Sequence, residues 1–363
     1  MRYYLIAGEA SGDMHGANLI REIKARDQSA EIRYWGGDNM KAQTGHAPVK
    51  HIKDLAFMGF VEVLLNIRTI LRNLKLCKND IEEFNPDIVV LIDYPGFNLK
   101  IAEFAHNKGF KVAYYISPQL WAWKAGRVKK IKAWVDEMIC ILPFEVDWYK
   151  QHGLEVSYVG HPLLDVVASF NHEADSGHPP VAIIPGSRKQ EIKKMLPVML
   201  KMSDAFPEER FVIAGAPAID KSFYTPFISH YNNVELVFGQ THQVMHQAKA
   251  AMVTSGTATL ETALFDTPEV VCYYGSAISF WLAKRLVKVK FISLVNLILD
   301  RELVKELIQQ EFNHTNLATE LHRLLEGDKR NNILQGYKEL RNKLGDAGAS
   351  GRAAAVIVGL VNA

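Results

Sequence analysis

Short apolar runs alternate with longer amphipathic stretches along the first half of the chain. The runs are nearly continuous and rich in β-branched residues, which is typical of parallel strands covered on both faces. In the stretches between them, apolar residues recur at helical spacing. This alternation predicts a doubly wound α/β layer. The predicted strands are Tyr3–Ala7, Asp87–Ile92, Lys111–Ile116 and Glu137–Leu142, and the predicted helices are Met14–Arg26, Gly59–Asn79, Asn98–Asn107 and Lys124–Ala133.

A second layer of the same kind is predicted after residues 171–180, a polar and proline-rich segment that we interpret as a linker. Five more apolar runs follow, each continued by a helical pattern, and from Asn313 onward the pattern is purely helical. We expect two Rossmann-like domains, 1–170 and 181–345, with a ligand cleft between them off the carboxyl ends of the strands. The last segment, 346–363, is predicted to pack back on the first domain or on a partner chain. The five runs are VAIIPGSR, RFVIAGAP, NVELVF, AAMVTSG and PEVVCYY.

The composition is that of an ordinary soluble protein and narrows the function classes. Hydrophobic residues make up 48% of the 363 residues and charged residues 23%, which excludes a disordered or fibrous chain. Lys and Arg number 42 against 40 Asp and Glu, so we expect no strongly basic nucleic-acid-binding surface. The longest stretch without a charged residue, Val270–Ala283, is too short to cross a bilayer. The three cysteines form no disulfide or metal pattern and fit a reducing cytosol; they are Cys77, Cys140 and Cys272.

A glycine-rich segment, Gly8–Gly16 with the sequence GEASGDMHG, follows the first predicted strand. Its glycines permit a tight turn and a close backbone approach at a helix start, although their spacing differs from that of dinucleotide-binding loops. An ordinary helix cap by Ser11 or Asp13 is the alternative interpretation. Glu9 has no such structural explanation and is therefore a candidate functional acid.

Asp93, in the segment IDYPGFN, is a candidate general base. It lies at the carboxyl end of a predicted buried strand, where the ligands of doubly wound sheets bind. Tyr94, Pro95 and Phe97 would rigidify the turn and partly desolvate the carboxylate, which raises the pKa of a carboxyl group. An Asp that caps the helix beginning near Pro95 explains the residues equally well.

Two loops of the second half have the features of anion-binding sites. In each, a strand runs through small residues into a helix, which offers backbone N–H groups and a hydroxyl to a phosphate. The first loop adds a guanidinium, and the second is followed by a Glu that could accept hydrogen bonds from a ribose diol. Ordinary capped turns with solvated charges are the alternative. The candidates are Gly186, Ser187 and Arg188 in the first loop and Ser255, Gly256, Thr257 and Glu261 in the second.

One predicted helix, around 59–79, is apolar over more than half of its surface and has basic flanks. Such a helix can lie in a membrane interface, but more often it is buried in a core. A second basic cluster, Lys284–Lys290, could meet anionic lipid or form a solvated face. Because no D-x-D sequence occurs, we expect no metal-bridged sugar-nucleotide site and no cofactor. The candidate membrane-facing residues are Val61, Val63, Leu64, Ile67, Ile70 and Leu71.

Together and in this order, ten segments of the chain resemble the lipid-A-disaccharide synthase family, the glycosyltransferases of bacterial lipopolysaccharide assembly. The resemblance covers almost the whole chain and implies a GT-B fold, in which two Rossmann-like domains face each other across the active-site cleft. The segments are GEASGD, MGFVEV, IDYPGFN, ISPQLWAW, ILPFE, YVGHPLLD, IPGSR, SGTATLE, WLAKRLVK and NLILDRELVKELIQ.

The resemblance implies that UDP-2,3-diacylglucosamine is joined to 2,3-diacylglucosamine 1-phosphate, giving a β-1,6-linked disaccharide 1-phosphate and UDP. It also implies a peripheral protein on the cytoplasmic face of the inner membrane, and it leaves a homodimer open. Asp93 and Glu9 would be catalytic, with Ser11, Gly12 and Asp13 on the acceptor side. The residues implied to hold UDP are Gly186, Ser187, Arg188, Ser255, Gly256, Thr257, Glu261, Asn296 and Glu302.

Two positions depart from the family pattern. Gly96 stands where a second acid is frequent, which leaves Asp93 as the better candidate base, and Val295 stands where Pro is usual. The alternative function is another nucleotide-sugar enzyme of the same fold, such as an epimerase or a transferase with a soluble acceptor. The missing G-x-G-x-x-G argues against a dinucleotide-dependent oxidoreductase.

Overall fold

The computed structural model describes residues 1–55, 66–123, 125–171, 177–275 and 289–362. These residues form two compact units. Unit 1 comprises Met1–Asp165 and Asp346–Ala363, and unit 2 comprises Val166–Gly345, so the chain enters unit 2 before the polar segment 171–180. Each unit is a parallel sheet flanked by helices, and the predicted α/β fold class is therefore confirmed.

Unit 1 contains a seven-stranded parallel sheet. Its strands are β1 (Arg2–Ala7), β2 (Glu31–Gly36), β3 (Lys50–His51), β4 (Ile88–Ile92), β5 (Lys111–Tyr115), β6 (Glu137–Cys140) and β7 (Ser157–Tyr158). Their order across the sheet is β3-β2-β1-β4-β5-β6-β7, a doubly wound arrangement. Its helices are α1 (Ala10–Arg26), α2 (Asp38–Thr44), α3 (Ile67–Phe84), α4 (Pro95–Asn107), α5 (Val128–Trp134), α6 (Pro143–Gln151) and α7 (Leu163–Ala168), the last at the boundary with unit 2.

The central strands of unit 1 are buried and end level with one another. All side chains of β4 are inaccessible to solvent, as expected for a strand covered by helices on both faces. The register pairs Ala7 with Ile92, and Ile92 with Tyr115. The segments that follow β1, β4 and β5 therefore leave the sheet at the same edge.

Unit 2 contains a six-stranded parallel sheet. Its strands are β8 (Val181–Ile184), β9 (Phe211–Gly215), β10 (Val234–Phe238), β11 (Ala250–Thr254), β12 (Glu269–Tyr273) and β13 (Lys305–Ile308), in the order β10-β9-β8-β11-β12-β13. Because Val253 pairs with Ile184, the segments after β8 and β11 begin side by side. Its helices are α8 (Lys189–Ala205), α9 (Lys221–Ile228), α10 (Thr241–Gln247), α11 (Thr257–Leu264), α12 (Leu294–Leu299), α13 (His314–Leu325) and α14 (Asp328–Leu344).

Each of the nine apolar runs that predict strands contains a strand of the structure. The four other strands, β2, β3, β7 and β13, were not predicted. Helix α1 begins at Ala10 rather than Met14, and α4 begins at Pro95 rather than Asn98. Of the predicted helix 59–79, residues 59–65 lie outside the described residues, and α3 continues to Phe84.

The last helix, α15 (Ala349–Asn362), packs within unit 1 against α1 and β5. The carboxylate of Asp165 holds its first turn by accepting the backbone N–H groups of Gly348, Ala349 and Ser350. The Arg352 side chain donates from Nε to the carbonyl oxygen of Val159 at 2.8 Å. This helix thus belongs to unit 1.

One stretch of the described residues, Lys329–Asn362, is long and apolar enough to cross a membrane by length and composition, which alone is weak evidence. In the structure this stretch is two helices, α14 and α15, separated by residues 345–348. Gly345 and Gly348 there have φ angles of 79° and 101°, which break the helix. At 1.5 Å per residue, helices of 17 and 14 residues reach only about 26 and 21 Å, less than the hydrocarbon thickness of about 30 Å.

Candidate functional site

Asp93 lies directly after β4 in a strained backbone turn. Asp93 and Tyr94 have φ angles of 44° and 50°, so two consecutive non-glycine residues adopt the left-handed conformation. Each such residue costs roughly 1–3 kcal/mol and persists only where the surroundings enforce it, which occurs most often at functional sites. The N–H of Asp93 donates to the carbonyl oxygen of Tyr115 on β5 at 3.1 Å. The turn is therefore attached to the neighbouring strand.

Two buried side chains hold the carbonyl group of Asp93. The hydroxyl of Tyr114 donates to this oxygen at 2.6 Å, and the Nδ2 of Asn98 donates to it at 2.7 Å. Asn98 also donates to the carbonyl oxygen of Ile92 at 3.2 Å. Both side chains are inaccessible to solvent, and burial raises the pKa of Tyr114 well above its usual range, so its hydroxyl remains a donor. We call this pair the Tyr114–Asn98 clamp.

The glycine loop is in contact with the same turn. The ring of Tyr94 covers Gly8 so closely that a Cβ at that position would lie 2.3 Å from it. The Tyr94 ring stacks on Phe97 with centroids 5.6 Å apart, and its hydroxyl donates to the carbonyl oxygen of Leu55 at 3.3 Å. Any side chain at Gly8 would displace Tyr94, so the glycine is required for the approach of the two loops.

The environment of Asp93 raises the pKa of its carboxyl group towards neutral pH. Burial and, after it, the negative charge of Glu9 raise the pKa of its carboxyl group to about 6, although a hydrogen bond from the backbone of Tyr94 opposes both effects. Such a value suits a general base. The capping alternative does not hold, because the N-cap residue of α4 is Tyr94 and Pro95 is the first helical residue.

The residues of the glycine loop divide into three environments. Glu9, in an extended conformation, is the N-cap residue of α1 but does not cap the helix with its side chain. Ser11 is exposed, and Gly12 is buried with its Cβ position 3.3 Å from that of Ala7. Asp13 is buried, and its carboxylate is directed to the start of α2. The alternative interpretation, in which Ser11 or Asp13 caps α1, is therefore wrong, because α1 begins at Ala10 and both residues lie within it.

Asp13 instead caps α2. Its carboxylate accepts the backbone N–H groups of Gly37, Asn39 and Met40 at 2.6–3.1 Å, and also the side-chain amide of Asn39 at 2.9 Å. These four hydrogen bonds stabilise the start of a helix through a carboxylate, as charge-assisted caps do. An acceptor contact for Asp13 stays a prediction, although its observed partners are all structural.

A buried polar cluster after β5 was not predicted. Ile116, a β-branched residue, has a φ angle of 66°, and the hydroxyl of Ser117 lies 2.8 Å from that of Tyr149. Glu145 accepts the indole N–H of Trp121 at 3.2 Å and the N–H of Leu142 at 3.1 Å. Burial raises the pKa of Glu145 to about 7, and these two donors oppose the shift. The local signal was Pro143 followed by Glu145, a helix start with an acid at its third position.

In unit 2, the predicted anion loop after β8 is exposed. Gly186 has a φ angle of 95°, and Ser187 and Arg188 face solvent at the start of α8. The N-cap residue is Arg188, so Ser187 is not the cap. The guanidinium of Arg188 pairs with Glu191 at 2.8 Å. The loop thus presents a cation and a hydroxyl beside a helix start.

The neighbouring loop after β11 also opens a helix. Gly256 is the N-cap residue of α11, with Thr257 exposed beside it, and the hydroxyl of Ser255 donates to the carbonyl oxygen of Ile292 at 3.1 Å. Glu261 is not simply solvated, because its carboxylate lies 3.3 Å from the Nε2 of His242. The two loops are adjacent through the pairing of β8 with β11.

Asn296 is buried and uses its whole side-chain amide within unit 2. Its Nδ2 donates to Glu306 and to the carbonyl oxygen of Val304, both at 2.9 Å, while its Oδ1 accepts the N–H groups of Leu303 and Val304 at 2.8 and 3.1 Å. Glu306, which the sequence analysis missed, also accepts the N–H of Ile292 at 2.9 Å. Through Glu306, Asn296 therefore helps to order the segment at Ile292, whose carbonyl oxygen accepts the hydrogen bond from the Ser255 hydroxyl. Its contact with UDP stays a prediction.

Glu302 is exposed and pairs with Lys305 at 3.0 Å. Of the candidate membrane-facing residues, Ile67 and Leu71 are 42% and 54% exposed. Ile70 lies about 60° around α3 from Ile67 and is partly buried against the core of unit 1, and a membrane contact for it stays a prediction. Val61, Val63, Leu64 and most of the cluster Lys284–Lys290 lie outside the described residues.

Two parallel, doubly wound α/β units place the chain in the GT-B fold class. The chain is similar to a UDP-GlcNAc 2-epimerase from Neisseria meningitidis bound to UDP-GlcNAc, with a TM-score of 0.69 and 13% identity over 99% of this chain and 100% of that one. It is also similar to the calicheamicin glycosyltransferase CalG4, with a TM-score of 0.63 and 14% identity over 100% and 98% of the two chains. At such identities the likeness shows the fold alone.

The family is shown by closer relatives. Residues 3–357 match the family described as lipid-A-disaccharide synthetase. A lipid-A-disaccharide synthase of Syntrophus aciditrophicus is 40% identical over 98% of this chain and 97% of its own length, and one of Myxococcus xanthus is 38% identical over 99% and 97%. The chain therefore belongs to the lipid-A-disaccharide synthetase family and is a glycosyltransferase, which confirms the resemblance seen in the sequence.

Proposed function

We propose that the protein joins UDP-2,3-diacylglucosamine to 2,3-diacylglucosamine 1-phosphate with inversion at the anomeric carbon and without a metal ion. The observation that carries the mechanism is the carboxyl group of Asp93, which sits in a strained and clamped turn with a pKa of about 6. Above that pH the carboxylate is ionised and able to accept a proton.

Asp93 acts as the general base. Its carboxylate takes the proton of the acceptor 6-hydroxyl while that oxygen forms a bond to the anomeric carbon of the donor and the bond to UDP breaks. Glu9 keeps the pKa of Asp93 raised, which makes the carboxylate a stronger base than an exposed Asp. Ser11 and Gly12, on the same glycine loop, contact the acceptor.

The leaving diphosphate is stabilised by unit 2. The starts of α8 and α11 supply backbone N–H groups and positive helix ends at Gly186–Ser187 and Gly256–Thr257. Arg188 adds a full positive charge, Ser255 a hydroxyl and Glu261 an acceptor for the ribose. Such fixed groups lower the barrier because they need no reorganisation as charge develops. Glu302 borders the nucleotide.

The test is UDP release from UDP-2,3-diacylglucosamine, measured with and without 2,3-diacylglucosamine 1-phosphate and with and without a chelator. Asp93→Asn should lower kcat by about 10²–10⁴-fold, the usual contribution of a general base. The control is Asp220→Asn, an exposed acid of unit 2 that does not cap its helix through its side chain. Near-normal turnover of Asp93→Asn would refute the role of Asp93 as the general base. Loss of activity on addition of the chelator would refute the metal-free mechanism. Formation of an epimerised UDP-sugar in the absence of the acceptor would refute the assignment as a transferase.

The protein lies on the cytoplasmic face of the membrane through α3. Ile67 and Leu71 support this, because two large apolar side chains one helical turn apart are exposed. Ile67→Ser with Leu71→Ser should weaken vesicle binding by about tenfold or more. The control is Leu76→Ser, since Leu76 is 45% exposed but lies about 180° around the helix from Ile67. Equal vesicle binding by the two variants would refute the assignment of this face of α3 to the membrane.

A further inference from the structure

A groove rich in lysine runs between α3 and α4 on unit 1. It has a volume of about 540 Å³ and is lined by both helices. We call it the lysine groove; its lining residues are Leu71, Leu74, Lys75, Lys78, Asn79 and Glu82 from α3, and Lys100 and Phe104 from α4 with Lys108 beyond its end.

The groove continues the exposed apolar face of α3. Ile67, Leu71, Lys75 and Lys78 follow at helical spacing, so they share one side of the helix. Along about 16 Å of helix axis this side changes from apolar to basic. Lys100 and Phe104 are one turn apart on α4, opposite the basic end.

The charges in the groove are unbalanced. Four lysines face one acid, Glu82, which pairs with Lys108. Within the part of the chain that the structure describes, Lys75, Lys78 and Lys100 form no ion pair. The Nζ atoms of Lys78 and Lys108 lie 5.1 and 5.9 Å from the centre of the Phe104 ring, within the range of a cation–π interaction, so both ammonium groups lie beside the groove. Neighbouring like charges on a helix are unfavourable, and a bound anion would relieve them.

We propose that the lysine groove binds the phosphate headgroup of an anionic membrane lipid, whose acyl chains extend along Ile67 and Leu71. The inference rests on the membrane location in the proposed function, and it is independent of the glycosyl-transfer chemistry. The arrangement fits a lipid because its apolar and basic parts lie in sequence along one helix face. Clustered lysines are also the usual means of selecting anionic leaflets.

The experiment is flotation of the full-length protein with vesicles of phosphatidylcholine alone or with added phosphatidylglycerol. The test variant carries Lys75→Gln, Lys78→Gln and Lys100→Gln. The matched control carries Lys201→Gln, Lys221→Gln and Lys338→Gln, three exposed lysines of unit 2, so both variants lose the same charge. Thermal unfolding of both variants verifies that they are folded.

The unaltered protein and the control should prefer phosphatidylglycerol vesicles, and the test variant should lose at least about tenfold of that binding. Equal loss in both variants, or no preference of the unaltered protein for anionic vesicles, would overturn the proposal. If soluble glycerol 3-phosphate at low concentration displaced the protein from the vesicles, the groove would be assigned to a free phosphate ligand, and the proposal of a lipid headgroup would be overturned. UDP release in detergent micelles, measured on the unaltered protein, tests the reaction separately.

Discussion

Replacing Tyr114 with Phe removes one oxygen atom and tests whether the strained turn at Asp93 matters for catalysis. The lost hydroxyl donates to the carbonyl oxygen of Asp93 at 2.6 Å, while Asn98 continues to donate to the same oxygen at 2.7 Å. Because the acceptor keeps one partner, the free energy of unfolding should fall by only about 1 kcal/mol, the net value of one hydrogen bond.

The effect on catalysis should exceed what this loss of stability alone produces. The clamp opposes the strain of Asp93 and Tyr94, which is roughly 1–3 kcal/mol for each residue. Relaxation of the turn would displace the carboxylate, and a displacement near 1 Å can lower a rate by about 10²-fold. We expect kcat to fall by about 10–100-fold while KM for the UDP-sugar changes little, since the proposed UDP-binding residues belong to unit 2.

The matched control is Tyr34→Phe. Tyr34 is also fully buried in unit 1, and its hydroxyl donates to the carbonyl oxygen of His46 at 2.7 Å. The two variants should be destabilised equally, as measured by chemical denaturation, but only Tyr114→Phe should lose kcat in the UDP-release assay. Equal kcat in the two variants, or an unchanged kcat in Tyr114→Phe, would refute the role of the clamp.

Three further predictions concern other groups. Activity should be present above about pH 6 and should be lost at lower pH, as the carboxylate of Asp93 is protonated. Glu9→Gln removes a negative charge that raises the pKa of Asp93, so the acid limb of the pH–kcat profile should move to lower pH. Glu145 binds its proton more tightly in the folded state, so the free energy of unfolding should fall by about 3 kcal/mol as pH rises from 4.5 to 7. Urea denaturation of Glu145→Gln should show this slope reduced, and an unchanged slope would contradict the assignment. Asn296→Ala breaks four buried hydrogen bonds and should lower the free energy of unfolding by about 2–4 kcal/mol, whereas Glu302→Ala should change it by less than about 1 kcal/mol.

The strands found from the sequence are mainly apolar, and two of those missed, β2 and β13, contain charges with distant partners. In β2, Arg33 donates to Asp80, 47 residues away on α3, at 2.9 Å. In β13, Glu306 accepts the N–H of Ile292, 14 residues away, at 2.9 Å. Each charge looks unsuited to a packed sheet until its partner is known. Because the partners come from tertiary contacts, no local pattern could identify these strands.

The place of Asp93 was predictable, but its environment was not. Ligands of parallel sheets bind at the carboxyl ends of strands, and this general rule placed Asp93 at that edge. The Tyr114–Asn98 clamp could not be inferred, since Tyr114 looks like an ordinary strand residue. Asp13 shows the reverse failure: its position suggested a cap for α1, but the fold brings the start of α2 to its carboxylate.

The hydrogen bonds of each polar residue separate structural roles from chemical ones. Asp13 and Asn296 direct their side-chain acceptors and donors to backbone groups of their own unit, so they fix turns. At Asp93 the clamp holds the carbonyl oxygen, not the carboxylate. Together with Tyr94 and Ile116, this edge keeps three non-glycine residues in the left-handed conformation, at a cost of roughly 3–9 kcal/mol. Since a whole domain is stable by only about 5–15 kcal/mol, such strain supports the proposed role of what it positions, the half-buried carboxylate of Asp93.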